Sequence, residues 1–503
     1  MKMIKATQAF LNGIDELSAR RKQEIRDAKD EIEILGTTYY VSNGGDDSND
    51  GKTPETAWKT LEKVRTTEMN PGDGVRFRRG DLFRGFLLAQ KGITYAAFGE
   101  GEKPKLYGWD KSLADAALWE LYDAEHHIWK MTEKILDCGT LVFNEGEAHS
   151  RKLIPSYFDG RFVCRDREDV AFDMATEMNK DLDIVCFYTD RMNTTEYNGE
   201  SFPVPEIDFQ CFGDLYLRCD KGNPGEVFSS VEALPKRNMI RVGKCANVKV
   251  DNLCIRYVGA HAIGGGASCL EGLHVTNCEI GWVGGTIQNY LGLDPNYPEG
   301  GRGTVTRYGN GVEIYGGCKD YLVQNCYVYQ IYDAGVTHQV STRGKFRPII
   351  NVRYLNNLIE YCVYSIEYFL EKQDGDTESY MDDIEIAGNI LRFSGYGWGQ
   401  QRHNLYTPAH IKGWSYENTA SNYRVHDNIF DRAAYRMVHL VAKNDESCPV
   451  MSGNTYIQKL GNSLGQYGGN EFSEPANHVF DETADMRIEK IFGETDAKIY
   501  WVE

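Results

Sequence analysis

The 503-residue sequence has no run of apolar residues as long as a membrane-spanning helix. Its first 31 residues, MKMIKATQAFLNGIDELSARRKQEIRDAKDE, contain no apolar core of signal-peptide length. The thirteen cysteines are odd in number and include no Cys-x-x-Cys pair, which favours reduced thiols over a disulfide framework. From these absences we expect a cytoplasmic protein that makes no contact with a membrane.

Positive charge is also in short supply. Lys and Arg number 55 against 74 Asp and Glu, which gives a formal net charge of −19. Nucleic acids and anionic lipids attract positively charged proteins, so we expect no nucleic-acid partner. The same excess of negative charge disfavours a strongly polyanionic polymer as substrate, unless the binding cleft is locally basic.

A repeat dominates the second half of the chain. Seven segments place an Asn before a short, mostly apolar stretch: DNLCI, TNCEI, QNCYV, NNLIE, GNILR, DNIFD and GNTYI. Their asparagines are Asn252, Asn277, Asn325, Asn357, Asn389, Asn428 and Asn454, and the shortest gaps are 25 and 26 residues. Short strands at this period indicate stacked coils. An Asn at a turn tolerates left-handed backbone and can bond to the Asn of the next coil, which predicts a ladder.

The opening of the chain carries a family resemblance. The runs YYVSNGGDDSNDG (39–51), GDGVRFRRGDLFRG (72–85) and YAAFGEGEKP (95–104) resemble the start of pectin-lyase-like proteins. That resemblance implies an all-β, right-handed parallel β-helix (a solenoid) of a carbohydrate-active superfamily, with a helix capping one end.

We divide the chain into four segments on this basis. Residues 1–36 form an amphipathic helix that covers one end of the fold or joins copies into a homo-oligomer, and residues 37–108 form the capping helix and first rungs. Residues 109–237 interrupt the repeat as an inserted β-rich subdomain. Residues 238–503 form the main β-helix with its cleft-forming loops.

Insertions locate the candidate site. Extra residues at about 286–307, 371–381 and 399–421 follow the same strand of their coils, so they should build walls above one strip of sheet. That strip begins about eight residues after each Asn. Its polar and aromatic candidates for substrate binding, with those of the wall segments, are His338, Trp398, Gln400, Arg402, His403, Trp414, Arg436 and His439. Histidines could orient sugar hydroxyls, the arginines could neutralise a uronate carboxylate, and tryptophan rings suit the apolar faces of sugars.

Asp333 and Glu367 are the candidate catalytic pair. They lie eight and ten residues after Asn325 and Asn357, which predicts Cα atoms roughly 8 Å apart on neighbouring rungs. One carboxylate would stay ionised while the other, buried, would protonate the leaving oxygen of a glycoside. The alternative is that each carboxylate forms a structural salt link with an arginine or a backbone amide. Glu313, on the preceding strand, is a third catalytic candidate.

Three functions remain open. The first is a glycoside hydrolase acting on an oligosaccharide or polysaccharide, and the second is a polysaccharide lyase or uronate epimerase, which needs a basic residue and usually calcium. The third is a non-catalytic carbohydrate-binding solenoid. The sequence lacks the NTD, GHG and RIK motifs of polygalacturonases, so their catalytic residues are not transferred. No HxxxH or HxH pattern suggests a metal site, and we expect no cofactor.

Overall fold

A computed structural model describes residues 2–158, 161–164, 167–190, 212–243, 245–266, 269–290, 305–402, 407–414, 416–469 and 477–503. The described chain is mostly β, and its strands form large parallel sheets, as predicted at that level. Three of these sheets run along the molecule and carry the candidate site.

The first sheet contains Thr38–Val41, Gly74–Arg78, Thr94–Phe98, Ala246–Asp251, Leu270–Thr276, Cys318–Gln324, Ile349–Leu355, Met381–Ala387, Ala420–His426 and Val450–Ser452. The second contains Leu82–Arg84, Lys105–Tyr107, Cys254–Val258, Glu279–Val283, Tyr327–Ile331, Leu358–Glu360, Ile390–Arg392, Ile429–Asp431, Thr455–Lys459, Lys498–Val502 and Ile4–Lys5. The third contains Ala334–Ser341, Tyr364–Glu371, Ala409–Gly413, Arg436–Leu440, Ser463–Tyr467 and His478–Val479. Only the last strand is antiparallel to its neighbour. A smaller parallel sheet of Leu87–Leu88, Ile240–Arg241 and Ile263–Gly264 extends the third sheet through single bridges to Val312.

Successive strands enter these three sheets in rotation. The chain passes through Cys318–Gln324 in the first sheet, Tyr327–Ile331 in the second and Ala334–Ser341 in the third, then returns to the first sheet at Ile349–Leu355. Aliphatic side chains alternate along each strand and fill the space between the sheets, because successive residues of a strand point to opposite faces. Val323, Val328 and Val336 are fully buried examples from one such passage.

The repeat asparagines occupy two adjacent positions rather than one. The first position has left-handed backbone and is held by Asn252, Asn277, Asn325, Asn356, Gly388, Asp427 and Gly453, with φ between 51° and 66°. Strand pairing aligns Gln324 with Leu355, so Asn325 aligns with Asn356. The prediction that Asn325 and Asn357 share one register is therefore wrong by one residue, since an asparagine stands at both positions of that coil.

The second position forms the buried ladder. Nδ2 of Asn357 donates to Oδ1 of Asn389 at 2.9 Å, Nδ2 of Asn389 donates to Oδ1 of Asn428 at 2.9 Å, and Nδ2 of Asn428 donates to Oδ1 of Asn454 at 3.1 Å. The Asn454 amide ends the ladder on Glu494 at 3.0 Å. A ladder exists, but it contains four of the seven predicted asparagines.

The helix Gln8–Arg26 is the longest of the described chain, and Thr7 caps it by accepting from the backbone of Phe10 at 3.1 Å. It lies along the outward face of the second sheet, where Ile25 packs on Tyr327, Leu358 and Ile390. This corrects the expectation that the helix covers one end of the fold. Among the helices of the described ranges, none is long and apolar enough to cross a bilayer.

Ion pairs connect this helix to three strands of the second sheet. Lys22 pairs with Glu360 at 3.2 Å, and Arg26 pairs with Glu279 at 2.9 Å. Asp15 bonds Arg392. Because these partners follow one another along the stack, in the order Glu279, Glu360 and Arg392, the helix axis follows the stacking direction of the strands. Association of copies through this helix stays a prediction.

The other described helices are short: Leu61–Thr66, Met174–Met178, Pro224–Val227 and Ala484–Ile491. Residues 109–237 form separate, largely antiparallel sheets from Trp119–Asp123, Ile128–Met131, Ile135–Leu136, Cys138–Phe143, Ala148–His149, Arg151–Lys152, Ser156–Phe158, Arg161–Cys164, Arg167–Ala171, Cys186–Asp190, Phe212–Arg218 and Val231–Pro235. Thr286–Tyr290 and Val305–Tyr308 pair antiparallel within the first predicted wall. Asp137 joins the two regions, since it bonds Lys152 and accepts from the Ile287 backbone at 2.8 Å.

Candidate active site

Polar side chains occupy one position on successive strands of the third sheet. Val312, Val336, Ile366, Ile411 and Val438 align across the sheet and point into the core. The next residue on each strand therefore faces outward. These outward residues, with the matching one on the following strand, are Glu313, Thr337, Glu367, Lys412, His439 and Gln466, and we call them the polar row.

Glu367 lies in the middle of the polar row and is only 4% exposed. Gln339 Nε2 donates to its Oε2 at 2.5 Å, and the indole N–H of Trp414 donates to its Oε1. Burial raises the pKa of Glu367 to about 8, and the negative charge of Asp333 adds to this rise, while the Trp414 hydrogen bond opposes it. A carboxyl group with this pKa is largely protonated at neutral pH.

Asp333 precedes the strand Ala334–Ser341 and bonds the guanidinium of Arg402. Burial alone would lower the pKa of Arg402, but the neighbouring Asp333 carboxylate raises it above the usual arginine value. The guanidinium also lies over the ring of Tyr364, 5.5 Å from its centroid. Asp333 therefore has the salt link that was the alternative to a catalytic role, whereas hydrogen bonds from neutral groups hold Glu367.

The predicted spacing of Asp333 and Glu367 is wrong. Glu367 pairs in register with Thr337, which is four residues beyond Asp333 rather than two. Four residues and one rung would place the two Cα atoms about 14 Å apart on a flat sheet. One residue of this error comes from the misaligned asparagines, since the offset was counted from Asn325 and Asn357. The second comes from the turn between Glu360 and Tyr364, which is one residue shorter than the turn between Tyr329 and Ala334.

Glu313 belongs to the polar row, although the sequence placed it on a preceding strand that would have to bend toward Asp333. Its Oε2 accepts from the backbone N–H of Gly265 at 2.9 Å, and its Oε1 lies 3.4 Å from Nε2 of His261. The bridges Val312–Val336 and Val336–Ile366 set Glu313 two rungs from Glu367, with Thr337 between them. Two rungs correspond to about 9.6 Å between Cα atoms.

Basic groups continue the polar row beyond Glu367. Lys412 Nζ lies 3.1 Å from Nδ1 of His439, and His439 Nε2 lies 3.1 Å from the side-chain oxygen of Gln466. The Lys412 ammonium group is 4.4 Å from the ring centroid of Trp414. All three side chains of this chain of contacts are buried. The row thus changes from acidic at Glu313 and Glu367 to basic at Lys412 and His439.

Aromatic rings flank the polar row. Tyr315, Phe369 and Trp414 each lie two residues beyond a member of the row and share its outward face. The rings of Tyr315 and Phe369 are 6.0 Å apart, and those of Phe369 and Tyr416 are 5.3 Å apart. Tyr416 is 39% exposed. Flat rings beside hydrogen-bonding groups suit the two kinds of surface of a sugar.

The prediction that His338 binds substrate is wrong. It precedes Gln339 on the strand and follows the outward Thr337, so it points into the core, where it is fully buried. Its ring nitrogens lie 3.1 Å from the hydroxyl of Tyr354 and 3.2 Å from that of Tyr423. Burial lowers the pKa of His338 to about 3. A side chain in this place cannot contact a substrate on the outer face.

The prediction that Trp398 binds substrate is also wrong. It is 2% exposed, its indole N–H donates to the Gln330 carbonyl at 2.8 Å, and its ring lies 5.2 Å from that of Tyr332. A Cβ atom on Gly285 would lie 2.4 Å from the Trp398 ring, which shows how closely the backbone covers it. Trp398 therefore packs the short helical segment Trp398–Gln401 onto the sheets and does not present its ring to a ligand.

The remaining candidates differ in their surroundings. Gln400 is exposed and donates to the Tyr396 carbonyl at 2.8 Å. Arg436 is buried at the start of its strand, with its guanidinium 5.1 Å from the ring centroid of Tyr435. His403 lies outside the described residues. Substrate contacts by Gln400, His403 and Arg436 stay predictions, as they do for Arg402, Trp414 and His439.

Sequence reasoning missed several members of the site. These residues share the outward face of the third sheet: Thr337, Gln339, Gln466, Tyr315 and Phe369. The alternation of side chains along a strand could have identified them, because each lies an odd number of residues from an inward-facing Val, Ile or Gly. His261 had no such signal, because it reaches Glu313 from the neighbouring coil. Among the described residues, no group of three or more His, Cys, Asp or Glu side chains is placed to hold a metal ion.

Comparison with known proteins gives one local match in sequence. No protein-family model matches the chain. An 81-residue segment is 37% identical to lacto-N-biosidase of Bifidobacterium longum subsp. longum, and the match covers 14% of this chain and 5% of that enzyme. The chain thus spans a small fraction of the length of the curated relative that it matches.

Similar solved structures include three carbohydrate-active proteins. A structure of XylC in complex with xylose is 11% identical, with a TM-score of 0.40, over 85% of this chain and 70% of that chain. A GH136 lacto-N-biosidase from Eubacterium ramulus is 13% identical, with a TM-score of 0.38, over 98% and 71% of the two chains. A protein described as a glycoside hydrolase is 11% identical, with a TM-score of 0.38, over 84% and 88%. These TM-scores are below 0.5, so only the side chains of the polar row and its surroundings indicate the chemistry of this protein.

Proposed function

We propose that this protein is a glycoside hydrolase that binds its sugar along the polar row and the flanking aromatic rings. The observation that carries the proposal is the state of Glu367, a buried carboxyl whose pKa is raised to about 8 by burial and by the charge of Asp333. Glycosidases need one protonated carboxyl for the leaving oxygen and one ionised carboxylate for the opposite face of the sugar. Glu367 fits the acid role, and Asp333 and Glu313 are available for the ionised role.

The fold supports this reading in a second way. We infer that the rotation of strands through three parallel sheets is a right-handed parallel β-helix, the solenoid expected from the opening segments of the chain. On such a fold, adjacent rungs repeat every ~4.8 Å and present side chains in straight rows. A linear oligosaccharide would follow these rows, with its ring faces on Tyr315, Phe369 and Tyr416 and its hydroxyls toward Thr337 and Gln339.

A polysaccharide lyase is the second candidate, and Lys412 is the observation that favours it. A lyase removes the proton next to a uronate carboxylate and needs a basic side chain within reach of that proton. Lys412 and His439 stand next to Glu367 in the same row, at 3.1 Å from each other. Such an enzyme would use these residues and would not need the protonated Glu367.

One experiment separates the two candidates. The protein and its Glu367→Gln variant are incubated with a panel of neutral and uronate-containing oligosaccharides, and both reducing ends and ultraviolet absorbance of unsaturated uronates are followed. New reducing ends without absorbance, lost in Glu367→Gln, support the hydrolase. Absorbance that persists in Glu367→Gln and is lost in Lys412→Met supports the lyase. Glu271→Gln, on an exposed carboxylate, is the matched control.

A further inference from the structure

Two carboxylates could serve as the ionised partner of Glu367, and their contacts distinguish them. The Asp333 carboxylate bonds the Arg402 guanidinium, so taking up a proton would cost it this buried ion pair. Glu313 accepts from the Gly265 backbone and lies against the His261 ring. A base must accept a proton during the reaction, and a carboxylate held by neutral donors can do so without leaving an unpaired cation.

The tautomer of His261 follows from its other contact. The backbone N–H of Asn310 donates to Nδ1 of His261 at 3.1 Å, so Nδ1 is the acceptor nitrogen. In the neutral ring the hydrogen is then on Nε2, which faces Oε1 of Glu313 at 3.4 Å. The protonated Nε2 of His261 thus faces Glu313, and the neutral ring brings no net charge to the carboxylate.

The backbone near Glu313 leaves room for its side chain. Gly264 occupies the position of the polar row on the preceding strand and has φ of 149°. A Cβ atom there would lie 2.9 Å from the Glu313 Cβ and 3.2 Å from its Oε2. The carboxylate therefore lies in the space that a side chain at Gly264 would fill, and it projects from the same face of the sheet as Glu367.

The Cα spacing on this face is nearer to the carboxyl spacing of inverting glycosidases than to that of retaining ones. Glu313 and Glu367 occupy the same strand position two rungs apart, which corresponds to about 9.6 Å between Cα atoms. Carboxyl groups about 6.5–9.5 Å apart leave room for a water molecule and give inversion, whereas about 5–5.5 Å is typical of retention. Thr337 lies on the rung between them, and its hydroxyl oxygen accepts from the Ile314 backbone at 3.3 Å.

We propose that Glu313 is the general base of the reaction, that Glu367 is the general acid, and that hydrolysis inverts the anomeric centre. Glu313 takes one proton from a water molecule as the water oxygen bonds the anomeric carbon. The bond from that carbon to the leaving oxygen breaks, and Glu367 gives its proton to the leaving oxygen. Asp333 stays paired with Arg402 and acts on Glu367 through its charge. This inference rests on the proposed hydrolase function.

The test uses aryl glycosides, because a good leaving group removes the need for the acid. The full-length protein and its Glu313→Ala, Glu367→Gln and Glu271→Gln variants are assayed on p-nitrophenyl and dinitrophenyl glycosides of hexoses, pentoses and N-acetylhexosamines. We expect Glu313→Ala to lose about 10²–10⁴-fold in kcat on both leaving groups, with little change in KM. Glu367→Gln should lose activity on p-nitrophenyl glycosides and keep most of it on dinitrophenyl glycosides, and Glu271→Gln should match the wild type.

Two further readouts keep a folding defect from imitating this result. Proton NMR of the first product formed by the wild type should show the anomer opposite to that of the substrate. Added azide should restore turnover of the dinitrophenyl glycoside by Glu313→Ala and leave Glu367→Gln unchanged. Retention of configuration, or a Glu313→Ala variant as active as the wild type, overturns the assignment of Glu313 while the hydrolase function stands. A wild type that cleaves no glycoside overturns the hydrolase function and this inference together.

Discussion

The buried asparagine ladder should contribute several kcal/mol to stability, and Asn389→Ala tests this. The Asn389 amide donates to the Tyr354 carbonyl at 2.8 Å and to Asn428 Oδ1 at 2.9 Å, while its oxygen accepts from the backbone and side-chain amides of Asn357, both at 2.9 Å. Each bond contributes about 1 kcal/mol net, and each buried partner left alone costs about 1–3 kcal/mol. We therefore expect a loss of about 4–6 kcal/mol in the free energy of unfolding.

Equilibrium unfolding in urea, followed by tryptophan fluorescence and far-ultraviolet circular dichroism, measures this loss. Asn12→Ala is the matched control, since Asn12 is exposed on the N-terminal helix and bonds only Gln8 among the contacts described, at 2.8 Å. It should change stability by less than about 0.5 kcal/mol. Hydrogen exchange should also accelerate at the Asn357 amide, which loses its acceptor. A loss below about 1.5 kcal/mol in Asn389→Ala, with unchanged exchange at Asn357, would refute the reasoning.

Three other predictions concern charge. Trp414→Phe keeps a ring but removes the hydrogen bond that lowers the pKa of Glu367, so the fall in kcat/KM at alkaline pH should move above its wild-type midpoint near 8. Asp333→Asn removes a charge that raises the same pKa, so that limb should move toward lower pH, and a shift of both variants in one direction would contradict the electrostatic account. Burial would raise the pKa of Glu279, yet the hydrogen bond from Arg26 and the charge of Arg256 lower it to about 2. Its contribution to stability is therefore complete above the unfolded-state value of 4.5 and is lost as pH falls toward 2. Glu279→Gln should lose about 3–5 kcal/mol at pH 7 and expose residues 27–35 to proteolysis, and a variant that resists both proteolysis and urea like the wild type would count against the ion pair.

Much of the architecture follows from short-range patterns in the sequence. The alternation around Val336 and Ile366 predicts strands with one inward face, and the spacing of the asparagines predicts that such strands recur. The position of the walls also points to the strip on the third sheet. These signals are local, because a strand or turn is determined by neighbouring residues. They place Glu367 on the outer face without any knowledge of its partners.

The register between the strands of neighbouring coils was harder to predict from the sequence. Asn356 and Asn357 are adjacent, and either could match Asn325 by residue type. Only the strand pairing shows that the left-handed turn and the amide ladder use different positions, and Gly388 and Asp427 take the turn in later coils. A single-residue slip reverses the face of every side chain on a strand. Here a one-residue slip at the asparagines and a turn one residue shorter before Tyr364 add up to two residues, so the face of Glu367 is kept and only its spacing from Asp333 changes.

His338 shows that some of the missing information was in the sequence. Val336 and Val340 flank it at even spacing, and a strand that buries both must bury His338 as well. The parity rule would have excluded it from the substrate-binding candidates and selected Thr337 and Gln339. His338 was chosen as a candidate because it is polar, and its position on the strand was not considered. Inside the core, the hydroxyls of Tyr354 and Tyr423 provide hydrogen-bond partners for both ring nitrogens.

Contacts made by inserted segments could not be predicted from any pattern. Arg402 and Trp414 come from the segment between Arg392 and Ala420. Arg402 reaches Asp333, just before the strand Ala334–Ser341, and Trp414 reaches Glu367 on the strand Tyr364–Glu371. Their effects are opposite in kind, because Arg402 neutralises Asp333 while Trp414 only donates a hydrogen bond to Glu367. The regular coils therefore fix the spacing of the carboxylates, and burial with the charge of Asp333 raises the pKa of Glu367, while Trp414 and Arg402 from the insertion oppose that rise. A related chain could keep the coils and change its chemistry by exchanging this one segment.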